Sequence, residues 1–214
     1  ERAGINPHYS SLKGYDDITK AIEQVNAADR TSDVLRRAFA GLRQGRVGPM
    51  AVEIPADIAL EDVSEESFYY VPSRPVASQG NPGDIEAAAK ALCAAHFPVI
   101  MAGQGVLYGK ATDELVELAE LLQVPVCSTL LGKSAFPEVH ALALGSTGTS
   151  MSGHAYHFIR RSDLIFGIGT SFTKHGMVMN LPSGKTLIQA TNDAADINKD
   201  YNIHLPIVGD AKLV

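Results

Sequence analysis

The sequence predicts a doubly wound α/β fold: one parallel sheet with helices on both faces, preceded by an incomplete N-terminal remnant. Three observations carry this. From Asp84 onward, short continuous apolar runs alternate with helical stretches, the pattern of strands buried on both faces. Glycines gather where those runs end, at Gly103 and Gly105, at Gly145 and Gly148, and at Gly167 and Gly169. The stretch Gln44-Gly-Arg-Val-Gly-Pro-Met-Ala-Val-Glu-Ile-Pro-Ala-Asp57 reads as a helix end, a tight turn and a buried strand, all before residue 60. A lone helix and strand cannot make a domain, so the expected division is a remnant at 1–60, a linker at 61–83 and a complete domain at 84–214.

Residues 1–30 hold few periodic apolar positions, and Gly4, Pro7, Gly14 and the Asp16-Asp17 pair mark turns, so they read mostly as loop. Thr31 to Arg43 is a helix that Thr31 or Ser32 can cap, with one apolar stripe through Val34, Leu35, Ala38, Phe39 and Leu42. Met50 to Ile54 is a short strand stopped by Pro55. Pro72, Pro75 and Pro82, among Ser and Glu residues without helical period, make the linker. In the complete domain, 84–96 is an Ala-rich helix, 98–102 a strand, 111–122 a helix and 124–129 a strand. A loop and a Gly-rich segment follow to Gly153, then a helix at 154–161 and strands at 163–168 and 186–190. A short helix near 194–198 leads to a last strand at 206–208.

Composition narrows the function classes. A net charge of -6 argues against a nucleic-acid or anionic-membrane surface, which needs clustered Lys and Arg. No apolar run approaches the roughly 18 residues of a membrane helix, and Glu1-Arg-Ala-Gly is no signal peptide. Cys93 and Cys127 lie in apolar surroundings on different elements, which predicts buried free thiols in a cytoplasmic protein rather than a disulfide.

Several motifs fail on spacing. Gly103-Gln-Gly105 ends a strand ahead of a helix, where glycine lets amides approach a pyrophosphate, but the next glycine is Gly109 and no acid follows Thr129 to hold a ribose. Gly132-Lys-Ser134 lacks the first glycine of a P-loop, since Cys127 stands there. His154 and His157 share a helix face and His175 follows, yet no spacing fixes a third zinc ligand, so no metal site is expected. The loops after Ala102, Thr129 and Ile168 all open on the carboxyl edge of one sheet. The candidate binding set is therefore Gly103, Gly105, Thr129, Gly148, Gly169, Thr170 and Asp193, with the glycine amides facing a diphosphate and Asp193 holding a ribose or an adenine amine.

The Gln44–Asp57 stretch resembles the end of the pyrimidine-binding domain in thiamine-diphosphate-dependent enzymes of the acetolactate synthase and 2-oxoacid decarboxylase type. Pro98-Val-Ile-Met-Ala-Gly-Gln-Gly, Val124 to Glu138, Ser162-Asp-Leu-Ile-Phe-Gly-Ile-Gly169 and Val208-Gly-Asp210 resemble central-domain blocks of the same family, in the same order. The resemblance runs over about residues 15–214. It implies a parent enzyme, a lyase or carboligase that uses thiamine diphosphate and magnesium on a small 2-oxoacid, and a homo-oligomer. It also implies that this chain is the middle of that enzyme, partnered by the rest of its polypeptide and inactive alone. The family's activating glutamate lies far upstream of the Ile-Pro block, so Glu53 is not it, and no residue here is expected to be catalytic. Gly209-Asp210 has the family's structural role rather than that of the magnesium-diphosphate motif. In flavin-containing relatives the loops wrap FAD, and an Asp-Asp-Arg run stands where this chain has Thr173-Lys174-His175. A His-Ile-Asp-Ile-Asp run stands where it has Gln189-Ala-Thr-Asn-Asp193, and Thr191 gives a diol weaker hydrogen bonds than a carboxylate does. These departures predict weak ADP binding and no FAD as purified. The alternatives are a stand-alone FAD-, ADP- or NAD-binding module and a purely structural domain.

Overall fold

The computed structural model describes residues 11–214 apart from 75, 149, 150, 175 and 177–179, so Gly4, Pro7, Pro75 and His175 lie outside the described residues. The chain divides into two units, Glu1–Val76 and Ala77–Val214.

In the first unit, α1 (Ser11–Asp16) precedes β1 (Ala21–Gln24), and α2 (Thr31–Arg43) precedes β2 (Met50–Glu53). The expectation of loop across residues 11–30 is thus corrected. Ala21-Ile-Glu-Gln24 has no apolar run of its own and becomes a strand by pairing in parallel with β2, Ala21 opposite Met50 through Gln24 opposite Glu53. Side chains add to that pairing. Gln24 Nε2 donates to Glu53 Oε2 at 2.9 Å, and Arg37 Nη2 on α2 donates to Glu23 Oε2 at 2.8 Å. The cap at Thr31 or Ser32 is also corrected. A 3₁₀ turn at Ala28–Arg30 runs straight into α2, and the Thr31 hydroxyl donates back to the Ala28 carbonyl at 2.7 Å.

The apolar stripe on α2 covers β1 and β2 within its own unit. Val34 and Ala38 are buried, Val34 in a cluster with Val25, Ala28 and Ile58, while Gly41 lets Met50 approach. Phe39, 42% exposed, meets Tyr70 edge-on with ring centroids 6.1 Å apart.

Among the described residues of the second unit, six strands form one parallel sheet in the order β5-β4-β3-β6-β7-β8. They are β3 (Pro98–Ala102), β4 (Val126–Ser128), β5 (Ala143–Ser146), β6 (Leu164–Ile168), β7 (Thr186–Thr191) and β8 (Leu205–Val208). The chain winds outward from β3 to β5, returns beside β3 as β6, and winds the other way to β8. That reversal between β3 and β6 is the switch point of a doubly wound sheet. One face buries Ile100, Phe166 and Ile188 with α3 (Pro82–Ala94) and α5 (Thr112–Leu122). The other buries Val99, Ile165 and Leu187 with α6 (Gly153–Arg161). Burial on both faces is why these strands lack polar alternation.

β5 was read as part of a Gly-rich loop. Its register against β4 shifts between Val126 and Cys127, and Gly145 takes φ +82°, so a bulge hides the strand's period. A short α4 (Gln104–Tyr108) follows β3 directly. Residues before α3 also join this unit, with the Asp210 amide donating to the Ser78 carbonyl at 2.7 Å. Both cysteines are free; Cys127 is buried, but Cys93 is exposed on the outer side of α3, correcting the expectation that both are buried. Among the described residues, no helix is long and apolar enough to cross a membrane.

Candidate functional site

The carboxyl ends of β3 and β6 bring together Gly103, Gly105, Gly169 and Thr170, as the topology predicts. What happens there is a direct interlock of backbone. The Gly103 amide donates to the Ile168 carbonyl at 2.8 Å and the Gly105 amide to the Gly169 carbonyl at 2.9 Å. A Cβ on Gly103 would lie 2.2 Å from the Gly169 oxygen, and one on Gly105 would lie 2.6 Å from the Gly169 Cα. Gly169 itself has φ +61° and abuts the backbone of Gly105 and Val106. These amides are therefore committed within the protein and do not face a diphosphate, correcting that part of the expectation. The glycines serve close approach of two loops, and the inner crevice is filled.

Thr129 closes the adjoining corner. Its amide donates to the Ala102 carbonyl at 2.8 Å, and its hydroxyl accepts from the Gly132 amide at 3.0 Å. Gly148 holds φ +146° beneath the Leu130 side chain, which is 42% exposed. On the other side, the Thr170 carbonyl accepts from Gln189 Nε2 at 3.0 Å. Asp193 is half-buried, and its carboxylate accepts from the Ala195 amide at 3.0 Å, starting a 3₁₀ turn at Ala194–Asp196. The candidate set thus falls into an inner group, Gly103, Gly105 and Gly169, that holds the loops, and outer groups at Thr129 with Gly148 and at Thr170 with Asp193.

Gln189 was not singled out as a site residue. It is fully buried, and Nε2 also reaches the Asp196 carbonyl at 3.3 Å, so one side chain ties the loop after β6 to the turn after β7. Its Oε1 has no hydrogen-bond partner among the described residues. The available signal was an amide inside the apolar run Thr186-Leu-Ile-Gln-Ala190. Gly167 is likewise explained by packing, because Phe172, at φ 47°, lays its ring where a Gly167 Cβ would stand.

No group of three or more His, Cys, Asp or Glu residues able to hold a metal occurs among the described residues, and His154 and His157 are exposed. Asp210 Oδ1 accepts from the Lys212 amide at 2.9 Å, and a Cβ on Gly209 would meet the Gln79 carbonyl oxygen at 2.9 Å. That Gly-Asp pair is built into a turn, so it does not fit magnesium diphosphate.

Residues 85–214 match the family described as thiamine pyrophosphate enzyme, central domain. The chain is 33% identical over 210 residues to a probable acetolactate synthase large subunit of Methanococcus aeolicus, covering 92% of this chain and 34% of that protein. It is 36% identical over 202 residues to an acetolactate synthase of Mycobacterium leprae, covering 92% of this chain and 32% of that protein. The chain thus spans about a third of the length of these relatives. Its fold matches the crystal structure of benzoylformate decarboxylase from Polynucleobacter necessarius with a TM-score of 0.78 at 20% identity, covering 97% of this chain and 40% of that one.

Proposed function

The chain belongs to the thiamine pyrophosphate enzyme family and carries its central domain, and from that premise we propose that it is the scaffolding part of a thiamine-diphosphate- and magnesium-dependent lyase or carboligase acting on a 2-oxoacid. The cofactor supplies, when bound, a carbanion that takes up the keto carbon and lets carbon dioxide leave. This chain's residues hold loops in place and contribute no catalytic group. The observation that carries the reading is the interlock of residues 103–105 with 168–170, which spends the sheet's switch point on rigidity. The rest of the enzyme and further copies of it are the partners proposed for this scaffold.

Calorimetry tests this. With magnesium present, the chain is expected to give no stoichiometric heat with thiamine diphosphate and to release no carbon dioxide from pyruvate. Stoichiometric, magnesium-dependent binding would overturn the assignment.

The outer groups support a second, subordinate reading as a weak nucleotide site. Thr129, Gly148, Thr170 and Asp193 border the loops that remain once the inner crevice is filled. We expect ADP to bind no tighter than about 0.1 mM, near -5.5 kcal/mol, and the purified chain to show no flavin absorbance. Asp193→Asn is expected to weaken ADP further. Unchanged ADP affinity in that variant would remove Asp193 from the site, and a flavin spectrum at one per chain would reverse the FAD expectation.

A further inference from the structure

The opposite edge of the sheet carries a separate feature. A groove of about 590 Å³ lies across the amino ends of β3 and β4, where α3, α5 and α6 finish. That volume falls within the roughly 300–1,000 Å³ of small-molecule sites. Leu92 and Val124 are buried at its floor, and Leu122 lines it, half-buried. Phe97 and Phe158 line it while remaining 59% and 42% exposed, so ring surface is on offer to a ligand. Its ionisable lining, apart from the Cys93 thiol, is His96, His157 and Arg161, and no carboxylate lines it among the described residues.

We propose that this groove binds a small planar aromatic carboxylate, its ring between Phe97 and Phe158 and its anion on Arg161. The counterweight is that helices end at this edge, and their last carbonyls carry partial negative charge. Those carbonyls are occupied in part. The Ala95 amide caps Ala91, the Val124 amide caps Ala119 and the Ser162 amide caps Phe158, while the Lys185 ammonium donates to the Arg160 and Ser162 carbonyls. The nearby Asp163 carboxylate is taken by the His96 and Phe97 amides at 2.7 and 2.9 Å. Among the side chains lining the groove, the Arg161 guanidinium is the charge offered to a ligand, with no lining carboxylate to oppose it. A guanidinium recognises a carboxylate by paired, charge-assisted hydrogen bonds.

Cys93 gives a local reporter, since it is exposed and lines the groove, whereas burial pushes the Cys127 thiol up to about 12 and silences it. The probe is 2-naphthoate, with iodoacetamide alkylation of Cys93 as readout on the whole chain. At about ten times its Kd, 2-naphthoate is expected to slow alkylation about tenfold, in proportion to the unliganded fraction. The neutral isostere 2-naphthylmethanol and the variant Arg161→Gln should each weaken binding about tenfold, the loss of one charge-assisted contact. Absence of protection, or equal protection by acid and alcohol, would overturn the proposal. So would unchanged affinity in Arg161→Gln. Should that variant fail to fold, the acid–alcohol comparison on the unaltered chain still decides.

Discussion

Gly169→Ala is expected to lower the unfolding free energy by about 3 kcal/mol or more, at the upper end of overpacking costs because backbone lies on the far side. A Cβ there would stand 2.6 Å from the Val106 nitrogen and 2.8 Å from the Gly105 carbonyl carbon, and φ +61° strains any side chain. A neighbouring side chain could rotate away, but these atoms are fixed by the hydrogen bond from Gly105 to Gly169. Gly103→Ala presses on the same contact from the other loop, so the double variant should lose less than the two single losses together. The internal control is Gly153→Ala at the first turn of α6, where a Cβ meets nothing within 4 Å. It should gain about 0.4–1 kcal/mol from reduced unfolded-state entropy. Urea unfolding of the four variants checks this. A Gly169→Ala protein as stable as the parent would mean that the two loops are not interlocked in solution.

The same contact marks where the sequence stops being legible. β3, β6 and β7 could be read because Val99-Ile100-Met101-Ala102, Leu164-Ile165-Phe166 and Leu187-Ile188 are apolar runs bounded by proline, glycine or polar residues. From them follow the parallel sheet and the common edge on which three loops open. β1 could not be read, since Glu23 and Gln24 earn their places through Arg37 and Glu53, which lie far along the chain. β5 could not either, because Gly145 sits in a strand only by virtue of the bulge opposite β4. At the candidate site, glycine at 103, 105 and 169 signals close approach without saying to what. A diphosphate and a second loop make the same demand on the residue. Only the carbonyls of Ile168 and Gly169, some 65 residues downstream, decide between them.

Asp163→Ala is the other large effect, expected to cost about 2–3 kcal/mol at neutral pH from two charge-assisted hydrogen bonds, discounted for partial exposure. The carboxylate accepts from the amides of His96 and Phe97, joining the segment between α3 and β3 to the start of β6. Its own backbone serves the neighbouring strands too, accepting from the Thr186 amide and donating to the Phe97 carbonyl. It also faces the buried Lys185 ammonium that caps the end of α6. Burial by itself pushes the Asp163 pKa up, but the two amides reverse this and hold the group below the ordinary aspartate value. The sign follows directly. A depressed folded pKa means that the contribution is complete above the ordinary aspartate pKa and drains away as pH falls through the lower folded value. The stability gap between parent and Asp163→Ala should therefore be widest near neutrality and shrink through that acidic window. Asp163→Asn keeps one acceptor but sets an amide donor against the second backbone N–H, so it should fall between the two and lose the pH dependence. Urea midpoints measured at neutral and acidic pH check both statements. A gap that stays constant with pH would show that Asp163 acts through shape alone and not through its charge.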